Sequence, residues 1–177
     1  MALIKEEGAN KEILLHVAKQ MIAAARTAPK GKGISTLSTL IITDNDLEKL
    51  VLHTREMGEK FGLPGFIRDA GNIEKTSVAV AFGCTIDPIG LKKCGMCGFT
   101  NCDEKRKYPT VPCVFNAGDL GIAMGSALSI AADNRIDNRV MYSAGQAILE
   151  LGWLGGDVKI AYIVPLSISS KNVFFDR

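Results

Sequence analysis

At 177 residues, with 47% hydrophobic and 23% charged side chains, the chain is long enough to bury one sizeable core and too apolar for disorder. A formal net charge of +2 is too small for a nucleic-acid binder or for attraction to an acidic partner. The start, Met1-Ala-Leu-Ile-Lys-Glu-Glu7, lacks a basic-then-apolar leader, and no apolar run reads as a membrane span, so a cytoplasmic protein with a single domain over 1–177 is expected.

Ile13, Leu14, Val17, Met21, Ile22 and Ala25 recur at three- and four-residue spacing with Lys11, Glu12, Lys19 and Gln20 opposite. This predicts one long amphipathic helix ending near Ala28-Pro29. A basic glycine loop, Lys30-Gly-Lys-Gly33, leads into Thr39–Thr43, which reads as a buried strand. Asp44-Asn-Asp46 is expected to cap the next helix, whose one face carries Leu47, Leu50, Val51 and Met57 and which Phe61-Gly-Leu-Pro-Gly65 breaks. Ser77–Phe82 is a second strand that delivers the chain to Cys84. A second long helix is predicted over Ala117–Asp133, with Leu120, Ala123, Met124, Ala127, Leu128 and Ala131 as its apolar face. Gly121, Gly125 and Ser129 form a separate ridge of small residues, which lets another backbone approach closely. A third helix over Arg139–Leu151 stops at Gly152, and Lys159–Val164 is a last strand closed by Pro165. Helices mixed with a few strands give an α+β fold, a helix-covered sheet.

Chemistry concentrates in Cys94-Gly-Met-Cys97-Gly-Phe-Thr-Asn-Cys102 and the following Cys113, which hold four of the five cysteines. Thiolates two residues apart can grip one metal from a single turn. Gly95 and Gly98 let that turn take unusual backbone angles and aim amides at sulfur. In a reducing cytoplasm such clustering points to metal or redox chemistry rather than disulfides. We therefore read 84–113 as a cysteine-rich metal or iron–sulfur insert, with Cys94, Cys97, Cys102 and Cys113 as ligands.

Two species suit these ligands. A [4Fe–4S] cluster needs four converging thiolates, and Lys92 and Lys93 just before the first ligand would offset its negative charge. The spacing differs from the bacterial ferredoxin run, and resembles the compact three-cysteine start with a distant fourth of some corrinoid-protein and ferredoxin-like cluster domains. Zinc is the alternative: Cys94-Gly-Met-Cys97-Gly98 looks like one half of a rubredoxin-type or zinc-ribbon knuckle, although Cys102 and Cys113 do not form a second. Cys84, at the end of an apolar strand, reads as a buried small hydrophobe that replaces Cys113 if the latter points away. His16 and His53 lie far apart on helices and support no histidine site, and Trp153 reads as a core plug. There is no nucleophile elbow and no P-loop.

The stretch Ala23-Ala-Ala-Arg-Thr-Ala-Pro-Lys-Gly-Lys-Gly33, followed by an apolar strand and a helix, resembles the early part of the nitroreductase-like flavoprotein fold. The run Asp119-Leu-Gly-Ile-Ala123, with its alanine-rich helix, resembles that fold's central helix. Over nearly its full length, including the cysteine insert and the ending Lys171-Asn-Val-Phe-Phe-Asp-Arg177, the chain is similar to a family of uncharacterised ferredoxin-domain proteins found largely in anaerobic bacteria and archaea. The resemblance implies a homodimeric nitroreductase-like domain with FMN as a second cofactor and an electron-transfer partner, while the charge and hydropathy read above argue against nucleic acid and membrane. Phosphate contacts would fall to Arg26, Lys30, Gly31, Lys32 and Arg177, because the Arg-x-Ser-x-Arg run typical of nitroreductases is absent and Lys30 stands where their serine would be. Two functions follow. One is an FMN-dependent oxidoreductase in which flavin exchanges electron pairs and the cluster single electrons. The other is a non-catalytic metal protein: an electron carrier, a sensor or a structural module.

Overall fold

Strand β2 (Val78–Thr85) sits at the centre of the molecule because its sequence, Val-Ala-Val-Ala-Phe-Gly-Cys-Thr, is apolar on both faces. In the computed structural model, which describes residues 5–175, β2 pairs antiparallel with β1 (Leu37–Thr43) on one side and β4 (Val158–Ser167) on the other. The two-residue β3 (Asp137–Asn138) completes the sheet in the order β1-β2-β4-β3. Because strand side chains alternate, Val78, Val80, Phe82 and Cys84 face a core shared with α1 (Glu6–Thr27) and α5 (Val114–Asp133), while Ala79 and Ala81 face a second core. That second core is built with α2 (Asp44–Phe61), α3 (Pro64–Ile73) and α6 (Tyr142–Leu151). The helix-covered sheet expected from the sequence is the architecture found, and Trp153 packs half-buried against the second core.

Several local expectations are corrected. Ile13, placed on the apolar face of α1, is 45% exposed. Asp44 does not cap α2. Thr43 is the flanking residue, and Asp44 itself takes a left-handed φ of 52° and pairs with Lys11 at 2.5 Å. The break at 61–65 is shorter than it reads: Gly62 ends α2 in a left-handed conformation, and Pro64 opens α3, where its missing N–H costs nothing. Pro165 does not close β4 but lies inside it, opposite Ala79. Met141 and Ile163 exchange both backbone hydrogen bonds (2.8 and 3.1 Å), so residues 163, 165 and 167 turn their amides away from β2. Pro165 thus falls between that bridge and β3, where no ladder bond is interrupted.

By length and hydropathy alone α5 is apolar enough to cross a membrane, a property it shares with core helices of globular domains. Here its Leu120, Ala123, Ala127 and Ala131 are buried in the first core. The ridge of Gly121, Gly125 and Ser129 is exposed, together with Ile122.

Candidate metal centre and adjoining loop

After β2 the chain leaves the sheet and is fastened at two points. The buried Asn116 of α5 clamps Asp87: its Nδ2 donates to the Asp87 carbonyl (3.0 Å) and its Oδ1 accepts from the Asp87 amide (2.9 Å). Arg106 donates to the Pro88 carbonyl (3.2 Å). Between these anchors run the cysteines. Gly95 and Gly98 adopt φ of 124° and 86°, and the Gly98 amide donates to the Gly95 carbonyl at 2.9 Å. These left-handed angles suit glycine alone and bend the chain between Cys94 and Cys97. Phe99 stacks on Tyr108 with ring centroids 5.1 Å apart, closing the segment on itself.

A short helix, α4 (Cys102–Arg106), follows; the sequence reading missed it because five residues carry no periodicity. Asn101 caps it by accepting from the Glu104 amide (2.9 Å), while the Glu104 carboxylate accepts from the Thr100 amide (2.7 Å). That second bond holds the Glu104 carboxyl below its ordinary range. Cys94, Cys97 and Cys102 are half-buried, Cys113 is buried at the foot of α5, and all five cysteines are free thiols. Among the described residues no three His, Cys, Asp or Glu side chains already stand together as a metal site. The fit to a metal rests on the donor set: four thiols in one segment, turned by left-handed glycines and tied down at both ends.

The loop Lys30–Gly33 lies beside this segment. A Cβ at Gly31 would stand 2.5 Å from the Ile89 side chain and 3.2 Å from Phe115, residues that flank the stretch from Cys94 to Cys113. The Gly31 amide donates to Asp119 Oδ2 (2.9 Å), and Lys32 donates to the Ile89 carbonyl (3.3 Å). Lys30 turns back into the end of α1, where its ammonium donates to the carbonyls of Ala25, Arg26 and Ala28 at 2.9, 3.1 and 2.6 Å. Burial lowers its pKa, Arg26 lowers it further, and Asp119 opposes both. Arg26 donates to Ser35 Oγ (2.9 Å). Arg177 lies outside the described residues. The loop is thus brought to the insert, but its best donors are engaged within the protein. Asp119, which the sequence reading used only as part of a helix signature, joins the loop to α5; its 8% exposure could not be read from the sequence. His53 sits between Glu56 and Glu150, and His16 is exposed, far from any cysteine in sequence. A cleft of about 460 Å³ between α1, α2 and α3, lined by Lys11, Asp44, Val51 and Glu74, holds no cysteine.

Burial pushes the Cys84 thiol up from its ordinary 9.0 to about 11, with Asp119 and Cys113 adding to the shift. Between those two values the unfolded chain has lost this proton and the folded chain keeps it, so stability falls as pH rises through that window. The full loss is roughly 2–3 kcal/mol. We expect the urea midpoint of wild type to drop more steeply over that range than that of Cys84→Ala; parallel curves for the two proteins would refute this.

The family model "Uncharacterized protein containing a ferredoxin domain (DUF2148)" matches residues 110–177, which include Cys113 but not Cys94, Cys97 or Cys102. An uncharacterized protein of Archaeoglobus fulgidus is 36% identical over 182 residues, spanning 99% of this chain and 97% of its own. Among solved structures, an FMN-dependent nitroreductase of Clostridium difficile aligns over 96% of this chain and 79% of its own at 14% identity, with a TM-score of 0.55. A nitroreductase family protein of Clostridium novyi aligns over 95% and 77% at 12% identity, with a TM-score of 0.57. A BluB-like flavoprotein of C. difficile aligns over 97% and 84% at 17% identity, with a TM-score of 0.55. At such identities these structures establish a shared nitroreductase-like fold. The chain belongs to the family of uncharacterized proteins containing a ferredoxin domain (DUF2148).

Proposed function

We propose that this protein is a cytoplasmic redox protein holding a [4Fe–4S] cluster through Cys94, Cys97, Cys102 and Cys113, carried in the segment that runs from the end of β2 to Cys113 in a single nitroreductase-like domain. The observation that carries the reading is the contrast among five free thiols. Four lie in or directly after one anchored, glycine-turned segment, while the fifth, Cys84, is 1% exposed within the core. A thiolate site assembles when the metal arrives, so ligands need not converge beforehand. The cluster would supply one-electron transfer. The chain would supply the thiolates, backbone amides near sulfur, and a rigid mounting on α5 and the Pro88 turn.

FMN is the second cofactor the fold suggests, since one structural neighbour is an FMN-dependent nitroreductase. The loop argues for a narrower role. With Lys30 capping α1 and the Gly31 amide held by Asp119, a phosphate would have to displace internal bonds, which favours the non-catalytic reading of an electron carrier or sensor. A homodimer is supported by α5: a Cβ added at Gly118, Gly121 or Gly125 meets nothing within 4 Å, leaving a smooth face beside the 50% exposed Ile122.

Anaerobic purification with iron, sulfide, zinc and flavin assays on one sample tests all of this. About four iron and four sulfide per chain are expected. Flavin alongside them would restore the enzyme reading. About one zinc without sulfide would replace the cluster with a structural metal, and a monomeric mass by sedimentation would sink the dimer.

A further inference from the structure

Lys105 is 1% exposed and among the largest fully buried side chains of the protein. Lysines are almost never buried this completely unless paired, because an ammonium out of water needs opposite charge. None of the ion pairs among the described residues involves Lys105. Among the described residues its ammonium makes one hydrogen bond, to the Tyr108 carbonyl at 3.3 Å, a long contact for one of three donors. The carboxylates nearest in sequence are engaged elsewhere: Asp103 with Arg106, and Glu104 with the Thr100 amide. Lys105 does, however, share a helix face with Cys102, three residues earlier on α4. Lys92, Lys93 and Lys107 in the same segment are exposed, so water and salt screen their charges.

We infer that Lys105 is the buried counter-charge of the thiolate metal centre, a positioning residue that favours metal uptake and the reduced state of a cluster. The inference rests on the cysteine ligation proposed above. Four thiolates around a [4Fe–4S] core leave it doubly negative when oxidised and triply negative when reduced; four around zinc leave it doubly negative. A buried ammonium one helical turn from Cys102 would gain its missing partner from such a centre and would stabilise the extra electron.

The test uses the full chain loaded anaerobically with ferrous iron and sulfide, comparing wild type with Lys105→Gln, Lys105→Arg and the surface double variant Lys92→Gln/Lys93→Gln. Lys105→Gln should shift the one-electron equilibrium toward the oxidised cluster by about tenfold or more, which is about 59 mV, while Lys105→Arg and the double variant shift it less than about twofold. A Lys105→Gln cluster with full iron and sulfide and an unmoved equilibrium overturns the inference. Should Lys105→Gln fail to retain a cluster, Lys105→Met is measured with zinc alone. The metal-free variant should resist urea better than wild type, because an unpaired buried charge is gone, yet bind zinc at least about tenfold more weakly. Equal zinc affinity, or apo stability and affinity falling together, refutes the role. Wild type taking up neither iron–sulfide nor zinc would instead sink the ligation itself, and the inference with it.

Discussion

A Cys97→Ser chain is expected to lose its iron and sulfide almost completely, whereas Cys84→Ser should keep both. The two cysteines differ in setting. Cys97 is half-buried in the anchored segment, between Gly95 and Gly98 with their left-handed φ angles. Cys84 is buried on β2 in the first core, where burial raises its thiol pKa and disfavours the thiolate that a metal takes. A serine hydroxyl neither ionises near neutral pH nor offers the soft sulfur that a cluster or zinc prefers. Four-ligand zinc sites are worth about 10–16 kcal/mol, so one lost thiolate costs on the order of 3 kcal/mol, roughly a hundredfold in affinity. Cys94→Ser and Cys102→Ser should behave like Cys97→Ser. Cys113→Ser is the discriminating case, because Cys113 is buried and lies within electrostatic reach of Cys84. Iron and sulfide analysis of the five single variants reads the ligand set directly. Retention of the cluster by Cys97→Ser, or its loss only in Cys84→Ser, would overturn the assignment.

What the sequence makes legible is set by length and period. α1, α2 and α5 show their apolar faces because each repeats the helical spacing over several turns, and β2 announces itself as a run of small and branched apolar residues. α3 stays hidden because Gly62 and Pro64, read together as one break, are the end of one helix and the start of the next. α4 is a single turn stabilised by Asn101 and Glu104, and such local polar bonds have no periodic signature. The candidate ligands are legible because thiols are rare and their spacing is chemical. Their surroundings are not. Lys105 stands in the run Asp103-Glu-Lys-Arg-Lys107 with nothing to mark it as the buried member. Lys30 reads as a loop cation free for phosphate, yet it is consumed by the carbonyls it has just left. Burial and partner choice are properties of the packed chain, and one-dimensional pattern carries them only where the pattern is long.

Gly145→Ala should be the most damaging glycine-to-alanine substitution among the described residues. Gly145 is helical with an ordinary negative φ, so its backbone would accept alanine; space forbids it. A Cβ there would stand 2.1 Å from the Ala161 carbonyl oxygen, 2.8 Å from its carbon and 3.0 Å from Tyr162 Cα, all main-chain atoms of β4. Relief requires α6 to move by about 1 Å, the shortfall from ordinary contact. The helix cannot slide, because it is pinned one turn away: Met141 exchanges two backbone bonds with Ile163 of the same strand, and the buried Ser143 donates to Asp69 of α3 at 2.6 Å. The cost should exceed about 4 kcal/mol, a large part of the roughly 5–15 kcal/mol that holds a domain folded. Gly83→Ala meets two side chains that can turn, Val158 and Leu154, besides the Ile160 carbonyl oxygen at 3.0 Å, and should cost less. Gly121→Ala meets nothing within 4 Å and should raise the stability of the single chain by up to about 1 kcal/mol through helix propensity. Urea midpoints of the three variants should therefore fall in the order Gly121→Ala above wild type, Gly83→Ala below it, and Gly145→Ala far below or insoluble. A Gly145→Ala protein within about 1 kcal/mol of wild type would mean that α6 and β4 do not meet backbone to backbone.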